Sequence, residues 1–112
     1  MCGRFELKTK FNELPKVVKQ HYPSGLDSKY ETQKLIRPND PVLVIKNEGR
    51  IQTTFMKWGF ISPWAKDPHD KKIPRPFNAR SESVAQKKIF SGSWKHKRCL
   101  IPASGFFEKK YR

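Results

Sequence analysis

The residues best suited to covalent chemistry stand at the start of the chain, MCGRFELKTK, where Cys2 is one of only two cysteines in 112 residues. A Met followed by a small residue is normally trimmed co-translationally, which leaves Cys2 with a free α-amine beside a free thiol. The amine titrates at about 7.7–8.0 and the thiol at about 8.5, so both are nucleophilic near neutrality. Arg4 and the general positive field favour the thiolate further. Such an aminothiol condenses with an aldehyde. The amine forms a Schiff base, and the thiol then closes a thiazolidine ring on the same carbon, an intramolecular step of high effective molarity. Gly3 leaves the approach free of a Cβ. Read without that chemistry, Cys2 is a small inert hydrophobe or a terminal residue with no role.

Lys and Arg total 24 against 10 Asp and Glu, a formal charge of +14 with a pI near 10.1. Solubility alone asks for a net charge of about 2–8. The excess points to a polyanionic partner, most commonly nucleic acid, with a merely solvated surface as the alternative. An abasic site in DNA is a polyanion that carries an aldehyde in its ring-opened form, so the charge and the aminothiol converge on one ligand.

Hydrophobic residues make up 36% and mean hydropathy is −0.80, low for a chain closing a core alone, whereas the 12% aromatic share is unlike a disordered chain. No apolar run approaches the roughly 20 residues of a membrane span, and MCGRFELKTKF has no signal-peptide pattern. Two cysteines are not a disulfide framework. A reducing compartment is therefore expected: cytoplasmic and nucleoid-associated in a bacterium, nuclear in a eukaryote. No metal or organic cofactor is implied, because the nucleophile is the chain's own terminus. His96 and Cys99 in HKRC show a metal-like gap without a second pair.

The elements that must position this terminus read as one domain over residues 1–112. Residues 3–7 form a short strand. Phe11, Leu14, Val18 and Tyr22 share one helical face, with Pro15 placing the helix start near Asn12 or Glu13. HYPSGLDSKYETQ is a loop. VLVIK and RIQTTFMKWGF are strands of a hairpin turning at Asn47-Glu48-Gly49. ISPWAKDPHDKKIPRP is a Pro-rich surface loop presenting Trp64. Ser81 reads as the N-cap of a helix SESVAQKKIF, and residues 98–101 and 105–108 as further strands. The sheet is still being built at FFEKKYR, which predicts truncation, since edges are normally covered.

The blocks MCGRF, RPNDPVLVI, KWGFISPWAKD, FNARSESV and RCLIPASGFFE, in this order, resemble the SRAP (SOS response-associated peptidase) family, which senses abasic sites in single-stranded DNA and cross-links to them. The resemblance implies a set of roles. Cys2 is the nucleophile, freed by the family's self-processing. Asn78 holds the cysteine terminus, and Glu108 is the general acid/base for sugar opening and Schiff-base formation. Arg4 and Arg80 grip phosphates. Trp64 and Pro38 offer apolar surface to bases beside the lesion. Read without the resemblance, Asn78 caps a turn, Arg80 is a solvated charge, and Trp58 belongs to the core. The family's later half carries a histidine in an H-x-R-M-P-like motif, a context that His21, His69 and His96 lack. A missing C-terminal half supplied in trans is the expected partner besides DNA.

The fold expected is a β-rich α+β domain, with a curved, mostly antiparallel sheet and short helices near residues 12–21 and 82–90. Cys2 is expected in a groove close to Asn78 and Glu108. The leading function is covalent shielding of abasic sites with self-cleavage. The alternatives are a non-catalytic single-stranded-DNA-binding remnant, or an amidohydrolase with an N-terminal cysteine.

Overall fold

A computed structural model describes residues 3–108. Strands β1 (Arg4–Leu7), β2 (Gln33–Ile36), β3 (Pro41–Asn47), β4 (Ile51–Lys57), β5 (Cys99–Leu100) and β6 (Gly105–Phe107) build two antiparallel three-stranded sheets, ordered β2-β1-β6 and β4-β3-β5. Two short α-helices, α1 (Lys16–Gln20) and α2 (Lys88–His96), complete the β-rich α+β fold that the sequence leads one to expect.

β3 is the apolar centre of its sheet. Val42, Leu43, Val44 and Ile45 are all buried, so both faces of this strand are covered, as a continuous aliphatic run requires. The hairpin to β4 closes Asn47 onto Ile51, so its loop is Glu48-Gly49-Arg50, one residue later than the sequence suggests. Gly49 takes the left-handed conformation there, at φ +85°. In the other sheet β1 alternates, burying Phe5 and Leu7 and turning Arg4 and Glu6 outward. Those two residues join Leu14, Val18, Ile36 and the β3 valines in one core.

The helical stripe is recovered but broken. Residues Phe11–Glu13 form a single 3-10 turn, Leu14 is extended at φ −64° and ψ 154°, and α1 begins after Pro15 rather than before it. The proline ring disfavours helical geometry at the residue before it, which forces the break. Leu14 and Val18 still reach the core, while Phe11, Tyr22 and Tyr30 pack around it with ring centroids 5.1–6.2 Å apart.

The helix expected over residues 82–90 lies later. Residues 81–86 are successive turns and α2 runs Lys88–His96. Ser81 does not cap it: its hydroxyl meets the Glu82 carboxylate at 3.4 Å. The turn amides instead fold back on the carbonyls of Arg80 and Ser83. Only Gln33 of β2 falls in the expected loop, and the sequence reading assigns no element to Lys34–Ile36. Among the described residues no helix is long and apolar enough to cross a membrane.

Candidate functional site

Antiparallel pairing between β1 and β6 brings residues a hundred positions apart onto one sheet end. Arg4 faces Phe107 and Phe5 faces Phe106. The ladder ends at the Arg4–Phe107 pair, so Glu108 follows directly after the end of β6, and Gly3 directly precedes β1. Arg4 is exposed at the same end, its guanidinium donating to the Gly3 carbonyl at 2.6 Å. Cys2 itself lies outside the described residues.

Trp58 ties the other candidate segments to β1. Its ring meets Phe5 edge-on at 5.4 Å and Phe77 at 6.0 Å, and its indole Nε1–H donates to the Phe77 carbonyl at 2.9 Å. That bond fixes the peptide unit immediately before Asn78. A second strut lies alongside, where the Phe60 amide donates to the Pro76 carbonyl at 2.8 Å. On the opposite side the turn Arg37-Pro38-Asn39-Asp40 is clamped to the Trp58 backbone. The Asn39 amide donates to the Trp58 carbonyl at 2.8 Å, and the Trp58 amide to the Asp40 carbonyl at 3.0 Å. Asn39 adopts φ +78°, a left-handed geometry that asparagine tolerates best after glycine. Gly59, at φ +140°, lets the chain leave β4 directly after Trp58. Pro38, Trp58 and Asn78 are all half-buried, and Asn78 lines the same cavity as Trp58.

Asn78 lines a cavity of about 300 Å³ together with Val42, Val44, Trp58, Phe60 and Phe90. Cys99, set aside in the sequence reading, also reaches this cavity. Partial desolvation raises its thiol pKa, with Lys46 opposing the shift. Arg80, two residues beyond Asn78, is exposed and pairs with Glu82 at 3.5 Å. An exposed pair of this kind is worth about 0–1 kcal/mol, so a phosphate can replace the carboxylate at little cost. Trp64 stands apart from the Asn78 cavity. It is 63% exposed and lines a separate depression with Lys66, Lys72 and Ile89. α2 separates the two hollows, sending Phe90 to one and Ile89 to the other.

The structure therefore sets Arg4 opposite Phe107, the residue before Glu108, and bonds Trp58 to the residues next to Pro38 and Asn78, with its ring against Phe5. It leaves Trp64 on a different surface. The residue that sequence reasoning passed over is Trp58, placed correctly with the core but not recognised as the strut of this region. Its signal was the KWGF block itself, an aromatic followed by a glycine at a strand end.

The family described as SOS response associated peptidase (SRAP) matches residues 1–112, the whole chain. The chain belongs to the SRAP family. The SRAP chain is 35% identical over 113 residues to the abasic site processing protein YoaM of Bacillus subtilis, covering 98% of this chain and 48% of that protein. It is 28% identical over 135 residues to an abasic site processing protein of Saccharomyces cerevisiae, covering 98% of this chain and 36% of that one. A shorter match, 36% over 55 residues, joins it to the abasic site processing protein HMCES of Xenopus tropicalis, covering 47% of this chain and 16% of that protein. The SRAP chain thus spans about half the length of the bacterial relatives it matches. No solved structure matches it.

Proposed function

We propose that this protein processes abasic sites in DNA, acting in single-stranded regions through a covalent bond from Cys2. The observation that supports this reading is the β1–β6 pairing, in which Arg4 faces Phe107, the residue before Glu108, in a chain whose relatives are named for abasic sites. The steps balance without oxidant or metal. Once Met1 is removed by self-processing, the Cys2 amine attacks the ring-opened sugar aldehyde, a C–N bond forms, and water leaves to give an imine. The thiolate adds to the same carbon, a C–S bond forms, and a proton returns to nitrogen. The net product is a thiazolidine and one water.

In this scheme Glu108 protonates the departing hydroxyl and accepts the amine proton as general acid and base. Asn78 orients the terminus by hydrogen bonding, held by the indole that fixes its preceding carbonyl. Arg4 and Arg80 bind the flanking phosphates, for which the guanidinium fork is well shaped. Pro38 offers apolar surface to a base beside the lesion, and Trp64, on its separate surface, to a base further along the strand, with stacking worth about 1–3 kcal/mol per base. A duplex would hide those bases, which is why single strands suit the site. The same proposal places the protein in a reducing compartment, where Cys2 stays a thiol.

The test is a denaturing gel of purified protein incubated with a single-stranded oligonucleotide bearing one abasic site. A heat-stable adduct absent in Cys2→Ala and weakened in Glu108→Gln is expected. An adduct as strong in Cys2→Ala would refute the proposal. Binding that ignores the lesion and falls steeply with salt, with no adduct, would identify the non-catalytic DNA-binding alternative instead.

A further inference from the structure

The positive charge of the chain is concentrated on and around α2. Residues 87–98, KKIFSGSWKHKR, hold Lys87, Lys88, Lys95, Lys97 and Arg98 with His96 among them, and no Asp or Glu occurs between Glu82 and Glu108. The four lysines are exposed, and among the described residues none of them is in an ion pair. Arg98 is engaged otherwise, its guanidinium 3.6 Å over the Trp94 ring and its Nε–H donating to the Trp94 carbonyl at 2.8 Å. Helical spacing puts Lys88, Gly92 and Lys95 on one side of α2, and all three are exposed, while Ile89, Phe90, Ser91 and Ser93 are half-buried. Lys95 in the last turn complements the helix dipole. Lys87 and Lys88 oppose it, standing at the positive end, where acidic residues stabilise and the first turn has none. Helix stability therefore does not account for the two N-terminal lysines.

We propose that the exposed face of α2, from Lys88 through Lys95 to Lys97, is a track for the phosphates of the DNA strand that flanks the lesion. The inference rests on the function proposed above for its partner, DNA, and adds where the strand runs beyond the site. Lys87 and Lys88 directly precede Ile89, which lines the Trp64 depression, and Phe90, which lines the Asn78 cavity, so the track starts between the two hollows. At 1.5 Å per residue Lys88 and Lys95 are about 10 Å apart along the helix, room for about three phosphates at the spacing of about 3.4 Å in a stacked strand. Between them the helix carries Ser91, Gly92 and Ser93, with open space at Gly92 where a sugar–phosphate backbone can lie close. Lysine contacts of this kind add affinity and fix the course of the strand without reading its sequence.

The test is fluorescence anisotropy with single-stranded oligonucleotides bearing a tetrahydrofuran abasic analogue, which has no aldehyde and forms no cross-link. One oligonucleotide has long arms on both sides of the lesion, and the other ends beside it. The triple variant Lys88→Gln/Lys95→Gln/Lys97→Gln is expected to weaken binding of the long strand by at least about tenfold at low salt, and to make its log–log salt dependence shallower by about 2, near 0.7 for each lost phosphate contact. Binding of the short strand is expected to stay as in wild type. Glutamine is as good a helix former as lysine, so circular dichroism should be unchanged. The charge-matched Lys16→Gln/Lys29→Gln/Lys34→Gln, at exposed lysines that line neither hollow, is expected to lose far less. Equal losses in the two triple variants would overturn the proposal, as would an unchanged salt slope or a short strand weakened as much as the long one. Wild-type protein that binds abasic and intact long strands alike, both through the α2 lysines, would strike the function proposed above and leave the track standing.

Discussion

Replacing Trp58 by Phe keeps an aromatic ring in place but removes the indole N–H that holds the Phe77 carbonyl at 2.9 Å. The ring contacts to Phe5 and Phe77 remain available to a phenyl group, so the lost hydrogen bond dominates the change. A net intramolecular hydrogen bond contributes about 0.5–1.5 kcal/mol, and the half-buried indole places this one in the lower part of that range. If the bond secures the segment before Asn78, its loss should appear locally before it appears globally. The Phe60 amide, bonded to the Pro76 carbonyl at 2.8 Å, is a built-in reporter because it becomes free when residues 76–78 lift away. Hydrogen exchange should therefore speed up at Phe60 by about two- to fivefold in Trp58→Phe, the factor corresponding to that energy. The amides along the β3–β4 ladder should change less. Equal acceleration everywhere, or unchanged protection at Phe60 despite a lower urea midpoint, would refute the role assigned to Trp58.

The tyrosines give a pH dependence of known sign. Burial raises the Tyr22 pKa above its ordinary 10.0, with Asp27 adding to the shift, and burial followed by Tyr22 does the same for Tyr30. The neutral phenols are favoured in the fold, so their contribution is intact below about pH 10 and is lost as pH rises through the raised values. Tyr30→Phe should flatten the fall of the urea midpoint above about pH 10, while also losing the 2.7 Å hydrogen bond to Thr9 at neutral pH. Cys99 should be alkylated by iodoacetamide more slowly at neutral pH than a free cysteine, because its raised pKa leaves less thiolate; equal rates would contradict the desolvation assigned to it. Gly59→Ala should lower stability by about 1–3 kcal/mol through strain at φ +140°. Gly92→Ala, inside α2 with open space around it, should raise stability by about 0.5–1 kcal/mol, both read from thermal midpoints.

What the sequence made legible follows from how locally each element is specified. The aliphatic run of β3, the glycine-bearing turn and β4 are coded within a few residues, and the hairpin was found within one residue of its place. β2 was missed because only Ile36 of its four residues is buried, which leaves no alternation to read, and its pairing with β1 shifts register between Phe5 and Leu7. The start of α2 was misplaced because Ser81 offers a capping hydroxyl that Glu82 occupies instead. The approach of Glu108 to the start of β1 depends on a pairing across a hundred residues, which no local pattern encodes. Asn78 was named from the FNARSESV block, yet its placement depends on a tryptophan twenty residues earlier. Trp64, exposed as its Pro-rich loop suggested, was right in character, but its distance from the Asn78 cavity is a tertiary fact.

The most direct test of the central claim is the intact mass of the product formed between Met1-processed protein and an abasic single-stranded oligonucleotide, measured without added reductant. A thiazolidine requires the sum of the two masses less one water, surviving heat, while Cys2→Ser gives a stable product only after borohydride traps its imine. A reductant-independent adduct in Cys2→Ser, or one mapped to a lysine in the wild-type protein, would contradict the account.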